Sequence, residues 1–362
     1  MEPVMQSPAA ITGIGLVSVL GATVGQTWEA LLAGRSISDH ARAAGFAGPD
    51  RAVPMAAAAA AEALAQARWS QADCGQSDSA LFVGTSKGSI ESWMQVKVPD
   101  LRHGLSHIDC ELGRKLGFGS GPRMTLSSAC SSGLHALLRA AMAIESGEAR
   151  RALIVAMEAS VHPLFISSFS RLGVLAPEGH GCRPFDERRK GFIVSEAAAA
   201  VCLESSIDAP ERALARIDRW AIGGDGTHLT GGDPAGKALR RMLGRVACGN
   251  LDLIHAHATG TIVNDPVELA AIQSTARESQ PILYSHKGAL GHSLGAAGLV
   301  SVAINCLCHR HGTVPPNIRS TQPLATCGLH FCSSAVQRPI HRSIAIAAGF
   351  GGPLAVVSLA SD

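Results

Sequence analysis

Charge is scarce in this sequence. Acidic and basic residues make up 17% of the 362 positions and nearly cancel, leaving a formal +2. That balance gives no electrostatic footprint for nucleic acid, although a local basic patch can still meet an anionic partner. Aromatic residues are also few, at 4%, whereas apolar residues reach 46% and glycines number 39. This mixture suits a deeply buried α/β protein whose layers approach closely over Ala and Gly. Long apolar runs are missing, and the alanine-rich AAAAAAEALA is too short and too weakly apolar to span a membrane. The N-terminal MEPVMQSPAA carries an acid and lacks the basic and apolar segments of a secretory signal. Paired cysteine spacings are missing too, so the ten cysteines read as reduced thiols and the expected location is cytoplasmic. One cluster, CLCHRH at 306–311, has zinc-ligand residue types. It ends an apolar helical run, where such ligands point around the helix instead of converging, so no metal is expected.

No linker or low-complexity run divides the chain. Apolar runs bounded by glycine (AAITGIGLVS, ALFVGTS, RALIVAME, AAAAVCLES, then LDLIHAHATG, PILYSH, SIAIAAGF, LAVVSLA) alternate with helical patterns. That alternation predicts an α/β fold. Two segments echo each other. TLSSACSSGLHALLRAAMAI joins a short strand, a small-residue turn and a helix, with Cys130 at the turn. PILYSHKGALGHSLGAAGLVSVAINC repeats the plan with His292. A duplicated architecture that brings the two turns together puts a cysteine and a histidine in one pocket.

Two motifs are weighed as decoys. ITGIGLVS offers Gly13 and Gly15 after a strand, but Ser18 stands where a dinucleotide fingerprint needs its third glycine. GTSKG at 84–88 fits a nucleophile elbow and keeps open a serine hydrolase using Ser86. Cys130 taken alone is equally a core residue or a nucleophile. At a helix start the unpaired backbone N–H groups favour its thiolate and are expected to lower its pKa. Its company tips the balance. HATGTIVNDPVE places His257 on a turn with Thr259 and Thr261, which no core requires, and SHKGALGHSLGAAG supplies Lys287 five residues before His292. A thiolate that attacks a thioester, beside imidazoles that stabilise charge on a neighbouring carbonyl, needs such a set.

With these motifs the sequence resembles the elongating β-ketoacyl-acyl carrier protein synthases (ketosynthases) of the thiolase superfamily. The likeness runs from ITGIG at 11–15 to GFGG at 349–352, through SSACSSG, RPFDERRKGFIVSEAAAAVCLE, HATGTIVNDPVE, HKGALGHSLGAAG and VPPN in family order. It implies a thiolase-like fold: two pseudo-duplicated α/β halves, residues 1–205 and 206–362, in a five-layer α-β-α-β-α arrangement. It implies Cys130 as acyl acceptor, with His257 and His292 promoting decarboxylation and Lys287 supporting the second histidine. Asp265 and Glu268 would organise the site, and Thr259 and Thr261 would bind the pantetheine arm. Phe350 would gate the nucleophile and share the oxyanion hole with the Cys130 N–H, with Phe169 as another pocket aromatic. The implied reaction is decarboxylative Claisen condensation with malonyl-acyl carrier protein. It uses no resident cofactor, since the 4'-phosphopantetheine arm arrives on the carrier. The expected partners are an acyl carrier protein and a second copy of the chain, or a chain-length-factor-like subunit in a heterodimer. The rival from another class is that the chain is itself the non-catalytic, chain-length-controlling subunit, but such subunits lose the nucleophile that Cys130 retains.

Several positions depart from the family. Ala258 stands where glycine is usual, SEAAAA lacks the glycines around Glu196, and Pro353-Leu354 replace a Thr-Asn pair. The chain is short between LLAGRS and AAAAAAEALA. These changes spare the chemistry but set the usual fatty-acid substrate in question, so the expected pathway is fatty acid synthesis or, ahead of it, a specialised polyketide- or polyene-type route. Ser301 occupies the place of a glutamate that balances the lysine, so a carboxylate, Glu268 before Asp265, is expected within about 4 Å of the Lys287 nitrogen.

Overall fold

The glycine-bounded apolar runs become strands, and further segments join them as strands among the described residues. They are β1 (Ala9–Ser18), β2 (Ser79–Gly84), β3 (Arg123–Leu126), β4 (Arg151–Glu158), β5 (Ala197–Ser205), β6 (Ala215–Gly224), β7 (Leu253–His255) and β8 (Ile282–Tyr284). The short pair β9 (Thr313–Val314) and β10 (Val336–Gln337) follows, then β11 (Arg342–Ala348) and β12 (Pro353–Ala360). The structure is a computed structural model, and it describes residues 8–48, 50–95, 104–208, 210–228, 231–275 and 280–361.

All strands except β9 and β10 join one mixed sheet, in the order β3-β2-β4-β5-β1-β6-β12-β11-β7-β8. The order divides into two fives. β2 runs parallel to β3 and β4, whereas β4–β5 and β5–β1 are antiparallel. β7 runs parallel to β8 and β11, whereas β11–β12 and β12–β6 are antiparallel. Read from each outer end, the two fives follow one plan, and they meet where Ala10 pairs with Arg216 and Ile11 with Ala215.

Helices fill the remaining layers. Ala52–Ala67 covers β1, β4 and β5, while Lys237–Val246 covers β6 and β12 with Asn264–Gln273 beside it. Between the two fives lie Ser132–Glu145 and Ala297–His311, each touching strands of both. This is the five-layer stack. Its middle layer is buried from both sides, which is why Leu134, Leu137, Leu138, Val300, Ala303 and Ile304 are all 0% exposed.

Small residues set the spacing. A Cβ on Gly13 would strike the Ala63 carbonyl, and one on Gly15 the Ala59 carbonyl. The supposed fingerprint glycines therefore seat the alanine-rich helix on β1. Glu196 is used in packing as well. Its carboxylate takes two bonds from Arg51, at 2.6 and 2.7 Å, and one from the Ala43 N–H at 3.0 Å. Both side chains are buried, so removing Arg51 strands the Glu196 charge, a loss on the order of 3–5 kcal/mol, whereas without Glu196 the guanidinium still pairs with Glu91 at 2.9 Å.

The zinc-type cluster disperses. His309 bonds Ser343 and Ser361, and His311 stacks on Trp28 with ring centroids 5.6 Å apart. All ten cysteines are free of disulfides. No helix among the described residues is long and apolar enough to cross a membrane.

Candidate active site

Cys130 immediately precedes Ser131, the N-cap of the helix Ser132–Glu145. The crowd of small hydroxyl residues around it holds a tight turn. Ser131 Oγ donates to the Ser128 carbonyl at 2.7 Å, and Ser132 Oγ donates to the Ala129 carbonyl at 2.6 Å while accepting the Ser128 N–H at 2.9 Å. Ala129 has φ +49°, in the left-handed region that non-glycine residues enter at an energetic cost. The sulfur is thereby presented where the two central helices begin. There a Cβ on Gly133 would lie 3.0 Å from the Gly295 oxygen, and one on Gly298 3.0 Å from the Leu134 Cβ. Glycine at these crossings lets the Cys130 turn and the His292 turn meet.

They meet in a cavity of about 800 Å³ lined by Cys130, His257, His292, Thr259, Thr261 and Phe350. The rings of His257 and His292 cross at 84° with centroids 5.4 Å apart. Phe192 stands edge-on to His292 at 5.1 Å, Phe169 backs Phe192 at 5.5 Å, and Phe350 lies 6.3 Å from Phe169. Phe192 and Phe350 line the cavity, while Phe169 sits behind them. Thr259 and Thr261 bond each other through their hydroxyls at 3.0 Å.

Both cavity histidines are neutral. Burial, then the charge of Lys287, holds each well below the ordinary imidazole value, and for His257 the neighbouring His292 acts in the same sense. A neutral imidazole keeps one N–H to donate and carries no charge into the cavity.

The thiol corrects the expectation of a lowered pKa. Burial pushes Cys130 up to about 11, the Glu158 charge adding to it, against Lys87, Lys287 and a hydrogen bond from the Phe350 N–H. The helix start acts with the cations, but desolvation of a thiolate with only 8% exposure is the larger effect. Alkylation of Cys130 should therefore accelerate about tenfold per pH unit between roughly 7 and 10. A rate that levels off by about pH 8 would contradict the raised value.

Lys287 brings a second correction, because the expected ion pair does not form. The Lys287 ammonium donates to the His257 carbonyl. Glu268 instead accepts the N–H groups of His257 at 2.6 Å and Ala258 at 2.8 Å, and Asp265 accepts those of Gly260 at 3.1 Å and Phe185 at 2.8 Å. The 257–260 turn has Ala258 at φ +28° and Gly260 at φ +72°, and it points its N–H groups inward, so the carboxylates go to them first. Glu268 still favours the charged lysine, though burial is the larger influence and lowers its pKa. Ser301, in place of the missing acid, donates to the Ala297 carbonyl at 3.2 Å.

Ser86 is held away from hydrolase chemistry. Its hydroxyl donates to Glu158 at 2.5 Å, and the same carboxylate accepts the Ser86, Lys87 and Gly295 N–H groups. Sequence reasoning missed Glu158, which ends the strand RALIVAME and ties the 84–88 loop to the turn after His292. It also missed Phe192, although GFIVSE was on view as part of a landmark motif.

A thiol and two neutral imidazoles share one buried pocket on a duplicated five-layer scaffold, an architecture of the thiolase-like class. The sequence profile of the beta-ketoacyl synthase N-terminal domain matches residues 42–209, and that of the beta-ketoacyl synthase C-terminal domain matches residues 214–321. The chain belongs to the beta-ketoacyl synthase family. Among curated relatives, 3-oxoacyl-[acyl-carrier-protein] synthase 2 of Mycobacterium bovis is 37% identical over 210 residues, 54% of this chain and 50% of that protein. The chain thus matches about half the length of that relative. Among solved structures, a type II PKS ketosynthase in complex with its acyl-carrier protein superposes with TM-score 0.89 at 23% identity, covering 99% of this chain and 100% of the other. The ishigamide ketosynthase/chain length factor gives 0.88 at 26% identity, with the same coverage. These likenesses place the fold as thiolase-like.

Proposed function

We propose that this protein catalyses decarboxylative Claisen condensation between an acyl group on Cys130 and a malonyl thioester, both delivered by an acyl carrier protein. The observation that carries this reading is the convergence of Cys130, His257 and His292 on one cavity with both imidazoles neutral. In the first step the Cys130 sulfur attacks the acyl thioester and the pantetheine sulfur leaves. The proton lost by Cys130 ends on that departing sulfur, so a thiol near 11 needs no separate base once the two sulfurs exchange. The Phe350 N–H, already directed at Cys130, and the Cys130 N–H would hold the carbonyl oxygen.

In the second step the N–H groups of His257 and His292 donate to the malonyl thioester oxygen. Carbon dioxide leaves, and the enolate carbon attacks the acyl carbonyl on Cys130. The carbon–sulfur bond breaks, giving a 3-oxoacyl product, and the Cys130 thiolate takes up one proton per turnover. Lys287 has a double role: it holds the His257 carbonyl, and its charge adds to burial, the larger cause, in keeping both imidazoles unprotonated. Asp265 and Glu268 fix the turn that carries His257, Thr259 and Thr261, and the two threonines would hold the pantetheine arm at the cavity mouth. Phe350 would gate the nucleophile, with Phe169 behind it.

No metal or redox group enters this scheme, since the phosphopantetheine belongs to the carrier. A cytoplasmic enzyme of a specialised polyketide- or polyene-type pathway, paired with a second copy or with a chain-length-factor-like subunit, fits the resemblance. The test is direct: acyl- and malonyl-carrier proteins incubated with the enzyme should yield 3-oxoacyl-carrier protein and carbon dioxide in equal amounts. Carbon dioxide without chain extension, or neither product across a panel of acyl chains, contradicts the reading.

A further inference from the structure

Beneath the cavity, a run of buried polar side chains crosses the C-terminal strands. His286 Nδ1 lies 2.8 Å from His255 Nε2, and His255 Nδ1 lies 2.8 Å from Asn305 Oδ1. Asn305 Nδ2 donates to Ser343 Oγ at 3.2 Å and to the Ile344 carbonyl at 3.4 Å. His255, His286, Asn305 and Ser343 are each 0% exposed, so these bonds carry no competition from bulk water.

The proton positions follow from the partners. A carbonyl only accepts, so the Asn305 atom facing Ile344 is the amide nitrogen and the one facing His255 is the oxygen. That oxygen also only accepts, so His255 holds its proton on Nδ1. Burial brings His255 down to about 3 and His286 well below its ordinary value, so each ring has a single proton. His255 Nε2 is then bare, and His286 supplies the shared proton from Nδ1. His286 Nε2 is left as a bare acceptor with no partner among the described residues. Protonation there is opposed by Lys287, His255, His292 and His257, the charged and titratable groups that act on it.

Each link adjoins a working part of the site. His255 precedes His257 by two residues, and His286 adjoins Lys287. Ser343 lies on β11, which runs up to the Phe350 turn, and Asn305 lies on the helix that follows His292. We propose that Asn305, His255 and His286 are positioning residues: Asn305 fixes both imidazoles as Nδ1–H tautomers, and this chain holds β7 to the Lys287 loop so that His257 and His292 meet one carbonyl. The kinetic half of this inference rests on the condensation reading; the tautomer half does not.

The tautomers are read from protein with ¹⁵N-labelled imidazole rings at neutral pH. The expected result is a coupling across a hydrogen bond between a bare Nε2 of one ring and a protonated Nδ1 of another, absent in His255→Asn. A protonated Nε2 on either ring, or an imidazolium signal, overturns the assignment. For positioning, His286→Leu should lower carbon dioxide release from malonyl-carrier protein on the order of 10- to 100-fold with KM unchanged, while Cys130 still acylates. His286→Gln, whose amide N–H can still donate to His255, should recover most of that loss. Equal losses in both variants, or none in either, overturn the positioning role. A wild-type protein that takes no acyl group on Cys130 overturns the condensation reading and the kinetic half with it, while the ring spectra stand.

Discussion

His257→Ala and His292→Ala will each take an acyl group onto Cys130 yet release carbon dioxide from malonyl-carrier protein on the order of 10²- to 10³-fold more slowly, the scale for losing an oxyanion donor. The separation of steps follows from what each residue touches. Acyl transfer exchanges one sulfur for another and is proton-neutral, with the Phe350 N–H already at the Cys130 sulfur. In the proposed reaction decarboxylation builds charge on a thioester oxygen, and the two imidazole N–H groups are the donors assigned to meet it. The measurements are the rate of adduct formation and the rate of labelled carbon dioxide release. Variants that decarboxylate at the wild-type rate would show that the histidines have another role.

Cys130→Ser will cost still more in overall condensation, on the order of 10⁴-fold or beyond, the scale for losing a nucleophile from a coupled site. The alcohol is a weaker nucleophile in a pocket that already pushes the thiol up to about 11 by burial. In the proposed reaction both imidazoles serve the other carbonyl, so neither is free to take the serine proton. Product formation measured with acyl- and malonyl-carrier proteins checks this. Activity within about tenfold of wild type would mean that the acyl group does not pass through residue 130.

Much of this site was legible in the sequence because its residues sit in local motifs. SSACSSG, HATGT and HKGALGH each place a chemical group on a turn between a strand and a helix, and the fold brings the turns together. β1, β4 and β5 were legible for a related reason: a strand buried on both faces reads as an unbroken apolar run. β6 was not. Its burial is irregular, with Ala215 and Ile217 inside and both Asp218 and Arg219 outside, and its charged residues broke the apolar run. The helix Pro163–Arg171, which supplies Phe169, went unread because SSFSR carries no long apolar stripe.

What stayed hidden were pairings at a distance. The sequence showed a lysine without its usual acid and suggested Glu268 as a substitute. It could not show that two inward-facing N–H groups in the 257–260 turn would claim that carboxylate first. Nor could it weigh desolvation of Cys130 against the field of its helix, since both depend on how completely the pocket closes.

The proposed reaction depends first on Cys130 carrying the acyl group. Mass spectrometry of the protein incubated with acyl-carrier protein, followed by peptide mapping, tests it most directly. An acyl adduct is expected on the peptide containing Cys130, and none in Cys130→Ala. An adduct on Ser86, or one that persists in Cys130→Ala, would contradict it.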